Sequence, residues 1–262
     1  MKIVRTIDEV RALLACERAR SIGLVPTMGA YHAGHEALFA RARAENDVVV
    51  ASLFVNPAQF GDAADLDAYP RDEARDVAFA ERDGVDVLFA PSVDEMYPPG
   101  FQTWVDVENV ARGLEGDARP GHFRGVATIC LKLFNIVQPT RAYFGQKDAQ
   151  QVQVVRRLVR DLDVPVEIRV VPTVRDEDGL ALSSRNVRLS ADERALALAL
   201  PRALEAAIGS NDPVATARSA LNGLQPEYVE LLELDGATLL AAAARVGSIR
   251  LIDNVVVKGT FQ

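Results

Sequence analysis

The chain has 262 residues and a mass of 28.4 kDa, and 49% of it is hydrophobic, which suits a folded globular protein with one large or two modest domains. Its 37 acidic and 29 basic side chains leave a net charge of −8 and a pI near 5.0, so the surface as a whole repels polyanions and no nucleic-acid partner is expected. The longest apolar run, residues 48–55, falls far short of a bilayer span, and Arg5, Asp8, Glu9 and Arg11 interrupt the start of the chain, so a cytoplasmic protein without membrane contact is expected.

Taken in chain order, the hydrophobic pattern predicts a helix over 6–20, a strand over 21–25 ended by Pro26, a helix over 36–44 and a strand over 48–55. A helix over 71–82, a strand over 85–90, a helix over 126–137, a strand over 142–144, a helix over 149–162 and a strand over 166–171 follow. This alternation predicts an α/β domain, a Rossmann-like parallel sheet wrapped by helices. Cys16 and Cys130 fall in helix-like apolar contexts and are expected as buried thiols in a reducing compartment, rather than as a disulfide or metal site.

The charged turn RDEDG at 175–179 marks a change of composition, and the domain boundary is placed there, 1–174 against 175–262. Beyond it, helices over 191–208 and 214–221 and strands over 228–234 and 249–257 predict a smaller α+β domain. Residues 237–244, ATLLAAAA, stay undecided, because alanine favours helix while the surroundings favour strand.

The junction after the strand at 21–25 reads PTMGAYHAGH, Pro26 to His35. It sits where a Rossmann-like sheet places nucleotide phosphates. Gly29 and Gly34 permit tight turning and close approach of a ligand, and His32 and His35, three apart, are expected on one face of the first helical turn, where both can meet a phosphate. A P-loop is excluded, because His35 and Glu36 stand where that motif needs Lys and Ser or Thr. Zinc histidines on a helix are usually four apart and need a third ligand. On local grounds alone, a turn with two surface histidines remains open.

Four further junctions carry polar groups. SLFVNPAQF runs a buried strand into Asn56 and Gln59, which suit a hydroxyl and a carboxylate, or else form an Asn-Pro turn with a surface Gln. RPGHFRG places Arg119, Arg124 and His122 before an apolar helix, as an anion-binding entrance or a solvated capping loop. FGQKDAQQ offers Gly145 for close approach, Lys147 as a point charge for phosphate and Asp148 as a cap. SSRN, Ser183 to Asn186, suits triphosphate oxygens or a plain polar turn.

Together, PTMGAYHAGH, SLFVNPAQF, DLDAYPR, RPGHFRGV, FGQKDAQQ and LSSRN, in this order and spacing, resemble the pantothenate synthetase (pantoate–β-alanine ligase) family. YVELLEL and RLIDN extend the resemblance more loosely to the C-terminal region. The resemblance implies a Rossmann-like domain of the HIGH nucleotidyltransferase superfamily, a C-terminal lid associated with dimer formation, a homodimer, and ATP with Mg2+. It also implies the reaction: ATP converts pantoate to pantoyl adenylate with release of pyrophosphate, and the amine of β-alanine then displaces AMP.

Carried over by position, the resemblance implies that Pro26, Thr27, Met28, Gly29, Ala30, Tyr31, His32, Ala33, Gly34 and His35 line ATP, with His35 catalytic and His32 steadying the phosphates. It implies that Gly145, Gln146, Lys147, Asp148, Val174, Leu182, Ser183, Ser184 and Arg185 complete the ATP site, with Lys147 and Arg185 on the phosphates. Gln59 and Gln151 are implied to hold pantoate, and Asn56, Glu115, Arg119 and His122 to border the pocket. Tyr31, Gln146, Ala149 and Leu182 depart from the commonest family pattern of Leu, Glu, an aromatic residue and Met, which bears on pocket shape and nucleotide affinity. No magnesium ligand is named by the sequence.

Two other functions fit the same junctions. A nucleotidyltransferase acting on a phosphorylated small molecule would share the HxGH turn and the Ser/Arg loop but would not respond to an amine. A non-catalytic nucleotide-binding module would bind ATP without turnover. The uncharged pair Gln59 and Gln151 favours the ligase, because it suits a hydroxy acid better than a phosphate ester.

Overall fold

A computed structural model describes residues 1–234 and 236–261. The strands are β1 (Lys2–Val4), β2 (Ile22–Thr27), β3 (Val48–Leu53), β4 (Val87–Phe89), β5 (Arg141–Gly145), β6 (Glu167–Val171), β7 (Gln225–Leu234), β8 (Ala237–Val246) and β9 (Ile249–Gly259). The helices are α1 (Ile7–Leu14), α2 (Ala33–Glu45), α3 (Ala63–Asp67), α4 (Glu73–Arg82), α5 (Val93–Met96), α6 (Leu114–Ala118), α7 (His122–Val137), α8 (Ala149–Asp161), α9 (Ala191–Ala197), α10 (Ala199–Ala207) and α11 (Pro213–Ala220).

Strands β1 to β6 form one sheet of order β1-β4-β3-β2-β5-β6, with parallel ladders from β1 through β4, β3 and β2 to β5. β3 reads VVVASL and is buried along almost its whole length, as a strand covered on both faces must be. The order reverses between β2 and β5, which makes their carboxyl ends the topological switch point, where open α/β sheets bind ligands. The edge strand β1 is only three residues long and left no legible period.

Packing divides the chain into two compact units. The first comprises Met1–Tyr31, His35–Phe144 and Gln151–Val171. Its core includes Val25, Tyr31, Phe39, Val49, Leu88 and Tyr143. The second comprises His32–Gly34, Gly145–Gln150 and the chain from Pro172 onwards, including the antiparallel sheet β7-β8-β9. Its core joins Leu200, Ala203 and Leu204 of α10 to Leu240, Ala242, Ala244 and Val246 of β8.

Several expected boundaries move for identifiable reasons. Pro26 does not end its strand but lies within β2, opposite Ser52. The Ile22 carbonyl accepts from Thr140 on the β5 side, so alternate residues of β2 face that way, and the β2–β5 ladder has passed only Leu24↔Ala142 before Pro26. Pro26 has no N–H to give on that side, and the β2–β3 ladder on the other side runs on through Thr27↔Leu53. The expected helix over 191–208 is two helices, because the ring of Pro201 obstructs the carbonyl four residues back at Ala197, where α9 stops. α7 begins at His122, four residues before the expected start, on a left-handed Gly121. The undecided ATLLAAAA segment is strand β8, laddered on both sides to β7 and β9. Tertiary pairing overrides alanine's helical preference, and the small side chains let the sheet meet α9 and α10 closely. Cys130 is buried, but Cys16, expected to be buried, is exposed beyond the end of α1.

Candidate active site

In the first unit, the turn leaving β2 is built on two left-handed residues, Gly29 (φ 83) and Ala30 (φ 54). Asp76, buried on α4, accepts the Ala30 and Tyr31 N–H groups at 2.9 Å each, one on each carboxylate oxygen. A Cβ on Gly29 would fall 2.6 Å from Asp76 Oδ2 and 2.6 Å from Leu53 Cδ1, so only glycine lets the carboxylate close on the turn. Thr27 Oγ1 donates to the Ser52 carbonyl, and Tyr31 Oη lies 3.1 Å from Thr27 Oγ1. Tyr31 is 1% exposed and packs against Phe39, Phe79 and the ring of His35, and burial pushes its phenol far above the usual range. Three residues implied to line ATP, Thr27, Ala30 and Tyr31, thus direct these groups into the protein, and the Tyr31 ring fills the core.

The second polar group of this unit surrounds the turn Pro57–Gln59. Asn56 Nδ2 donates to Gln59 Oε1 (3.0 Å) and to the Gly125 carbonyl (3.2 Å), and Tyr97 Oη donates to Asn56 Oδ1 (2.8 Å). Because Asn56 occupies the oxygen of the Gln59 side chain, its NH2 end is left to donate to Met28 Sδ at 2.9 Å. His122 Nδ1 donates to the Gln59 carbonyl at 2.9 Å, which leaves Nε2 to accept from Arg119 Nη1 at 3.2 Å. α7 comes this near through Gly125, where a Cβ would lie 2.3 Å from the Ala58 carbonyl oxygen. Asn56 and Gln59 are buried, so the surface-turn alternative does not hold. Asn56, Gln59, Arg119 and His122 come together, Glu115 is buried on α6, and Gln151 is half-buried on α8.

In the second unit, His32 does not share a helical face with His35, because α2 begins only at Ala33. Instead His32 caps the helix: its Nδ1 accepts the Gly34 N–H at 3.1 Å, so the ring carries its proton on Nε2. A Cβ on Gly34 would lie 2.8 Å from His32 Cε1 and 3.9 Å from Leu182 Cβ, so this glycine serves the close fit of the imidazole. Leu182 N–H donates to the Val174 carbonyl (3.0 Å), and Ser183 Oγ accepts the Arg185 N–H (3.3 Å). Gln146, Lys147 and Asp148 form a single 3₁₀ turn between Gly145 and α8, and Lys147 Nζ lies 3.6 Å from Asp148 Oδ1.

Sequence reading missed Asp76, Tyr97 and Asn254. Asp76 left one available signal: it shares a helix face with buried Ala80, four residues on, where an acid has no place unless something inside needs it.

A parallel sheet with its switch point at β2 and β5, and a glycine-rich turn carrying two histidines beyond β2, define a Rossmann-like α/β protein of the nucleotide-binding type. The family model for pantoate-beta-alanine ligase matches residues 2–256, and the chain belongs to that family. The pantothenate synthetase of Corynebacterium efficiens is 54% identical, over 97% of this chain and 98% of its own length. That of Roseiflexus castenholzii is 50% identical, over 98% and 100%. Among solved structures, pantothenate synthetase from Thermus thermophilus matches with a TM-score of 0.93 and 47% identity, covering 98% of this chain and 100% of that one. Pantoate-beta-alanine ligase from Francisella tularensis, solved in complex with beta-gamma ATP and beta-alanine, matches with a TM-score of 0.85 and 36% identity, over 98% and 97%.

Proposed function

We propose that this chain condenses pantoate with β-alanine at the expense of ATP, forming pantothenate, AMP and pyrophosphate through pantoyl adenylate. The carrying observation is the Gln59 amide, fixed by Asn56 so that its N–H2 end is presented beside Met28, which suits the hydroxyl and carboxylate oxygens of a small hydroxy acid. The ligands of the Francisella relative, beta-gamma ATP and beta-alanine, support the same substrate set.

The chemistry needs no protein nucleophile. A pantoate carboxylate oxygen attacks the α-phosphorus, the bond to the β-phosphate oxygen breaks, and pyrophosphate leaves. The amine of β-alanine then attacks the acyl carbon, loses a proton, and the acyl–phosphate bond breaks to release AMP. The protein's work is positioning and neutralisation of growing charge.

In this reading His35, Lys147 and Arg185 meet the phosphates, and His32, held by its bond to the Gly34 N–H, helps to steady them. Pro26, Thr27, Met28, Gly29, Ala30, Tyr31, Ala33, Gly34, Gly145, Gln146, Asp148, Val174, Leu182, Ser183 and Ser184 contribute backbone and shape to the nucleotide site. Gln59 and Gln151 hold pantoate, bordered by Asn56, Glu115, Arg119 and His122.

Magnesium bound with ATP supplies charge neutralisation. The described residues bring together no group of three or more His, Cys, Asp or Glu suited to a metal; in this reading the ion would be held mainly by phosphate oxygens and water, which suit its hard, hydrated character. Residues 175–262 serve as a lid that keeps water from the acyl adenylate, and the enzyme works as a cytoplasmic homodimer with neither nucleic acid nor membrane as partner. No helix among the described residues is long and apolar enough to cross a membrane.

Pyrophosphate release from ATP, measured with pantoate and with or without β-alanine, tests the reading. Pantoate-dependent release, and pantothenate only when the amine is present, is the expected result. Release that ignores pantoate defeats it.

A further inference from the structure

The RLIDN motif, residues 250–254, belongs to the second unit, and nothing in the proposed reaction uses it. Its last residue, Asn254, lies on β9 and is 2% exposed. The two hydrogens of its side-chain NH2 go to consecutive backbone carbonyls, Gln146 at 3.0 Å and Lys147 at 2.9 Å. Its Oδ1 accepts from Gln146 Nε2 at 3.1 Å, which fixes which end of the Asn254 amide faces the carbonyls. All three polar positions of this side chain therefore act on the single 3₁₀ turn that carries Lys147, more than a hundred residues away in sequence.

The clamp is itself braced. Asp253, buried beside it, accepts the Asn254 backbone N–H at 2.8 Å. Its carboxylate also holds the Arg175 guanidinium through two bonds of 2.7 and 3.0 Å. Arg175 in turn donates to the Gly179 carbonyl at 3.1 Å, which ties the RDEDG turn to β9. A charge-assisted pair with both carboxylate oxygens engaged resists rotation, so Asn254 is supported by a rigid backbone.

We propose that Asn254 is a positioning residue for Lys147: by gripping the carbonyls of Gln146 and Lys147 it sets the direction in which the ammonium group leaves the turn. A lysine is a point charge on a flexible stem, so its reach to a phosphate depends on where its backbone is anchored. The inference rests on the reading that Lys147 contacts the phosphates of ATP.

The test is a double-mutant cycle on the full-length enzyme, read by pantoate-dependent pyrophosphate release, with thermal melting as a control for folding. N254D keeps the side chain's size but has no NH2, and N254A serves as the second variant. Either is expected to lower kcat for adenylation and raise the KM for ATP, with a combined loss on the order of 10²-fold and the KM for pantoate unchanged. In a K147A background the same Asn254 substitution is expected to cost far less than in the wild type, because its route through the ammonium group has been removed and only its hold on the Gln146 side of the turn remains.

Multiplying losses in the double variant, or wild-type kinetics for N254D and N254A beside a crippled K147A, would overturn the proposal. Wild-type kinetics for K147A would instead overturn the phosphate role of Lys147. Should both Asn254 variants fail to fold, the wild-type protein decides the matter by NMR. Slow exchange of the Asn254 side-chain NH2 with coupling to the Gln146 and Lys147 carbonyl carbons is expected, and rapid exchange there refutes the clamp.

Discussion

The two units bring polar residues to their sites in opposite ways. In the parallel-sheet unit, Met28, Asn56 and Gln59 come from turns where β2 and β3 end, and each belongs to a short contiguous motif. In the antiparallel unit, Asn254 acts from within a strand, on a turn far away in the chain. The difference follows from what each group must do. A side chain that meets substrate must stand at the open end of an element, whereas one that only holds another must be buried and immobile.

The largest expected effects test the first half of that contrast. H35A and K147A are each expected to leave the melting temperature nearly unchanged and to lower pantoate-dependent pyrophosphate release by about 10²–10³-fold, as when a charge-stabilising contact is lost. A variant with full activity would show that its junction is merely structural. Next in size is D76N. One carboxylate oxygen becomes an NH2 facing the N–H of Ala30 or Tyr31, so a buried donor loses its acceptor at a cost of about 1–3 kcal/mol. Urea unfolding should show that loss, and adenylation should fall roughly tenfold as the turn before His32 loosens. A stability loss without any kinetic loss would mean that the turn's geometry does not matter to the reaction.

The same contrast explains how much was legible in the sequence. The alternation of strands and helices, the junction motifs and the helical core of the second unit could be read because periodicity and glycine-rich turns are local properties. That the Ala30 and Tyr31 amides bond a carboxylate has no local signal, because Asp76 lies 46 and 45 residues further on. A spacing of three suggests one helical face for His32 and His35, yet the ring's own bond to the Gly34 N–H starts the helix after His32. β8 was undecidable for a related reason: its alanines are strand residues only because β7 and β9 flank them. Whatever depends on a distant partner stays hidden in a single sequence.

A smaller effect is expected from Y97F. The hydroxyl donates to Asn56 Oδ1, and burial holds the Tyr97 phenol far above its ordinary range, so it stays a donor throughout the working pH range. Asn56 Oδ1 also accepts the Ala58 N–H at 3.3 Å, so the amide keeps its orientation when the hydroxyl goes. Losing one neutral hydrogen bond costs about 0.5–1.5 kcal/mol, and the expected reading is a rise of roughly two- to tenfold in the KM for pantoate with kcat unchanged. An equal fall in kcat would move Tyr97 from support to the reaction itself.

The smallest effect separates buried from exposed chemistry without touching the site. Cys16 is exposed, while Cys130 lies in the middle of α7, where burial pushes its thiol up to about 12. At pH 8 a thiol with that pKa is ionised to only roughly 10⁻⁴, and the thiolate is the reactive form. Iodoacetamide should therefore add one group to the folded chain, at Cys16, with no change in activity, as mass spectrometry can verify. Cys130 should react only when its helix opens. Because the same helix begins with His122, whose ring holds the Gln59 carbonyl, a ligand bound at Gln59 should slow labelling of Cys130 by stabilising the closed state. Labelling of Cys130 at an unchanged rate with saturating pantoate would mean that the helix and the proposed pantoate site open independently.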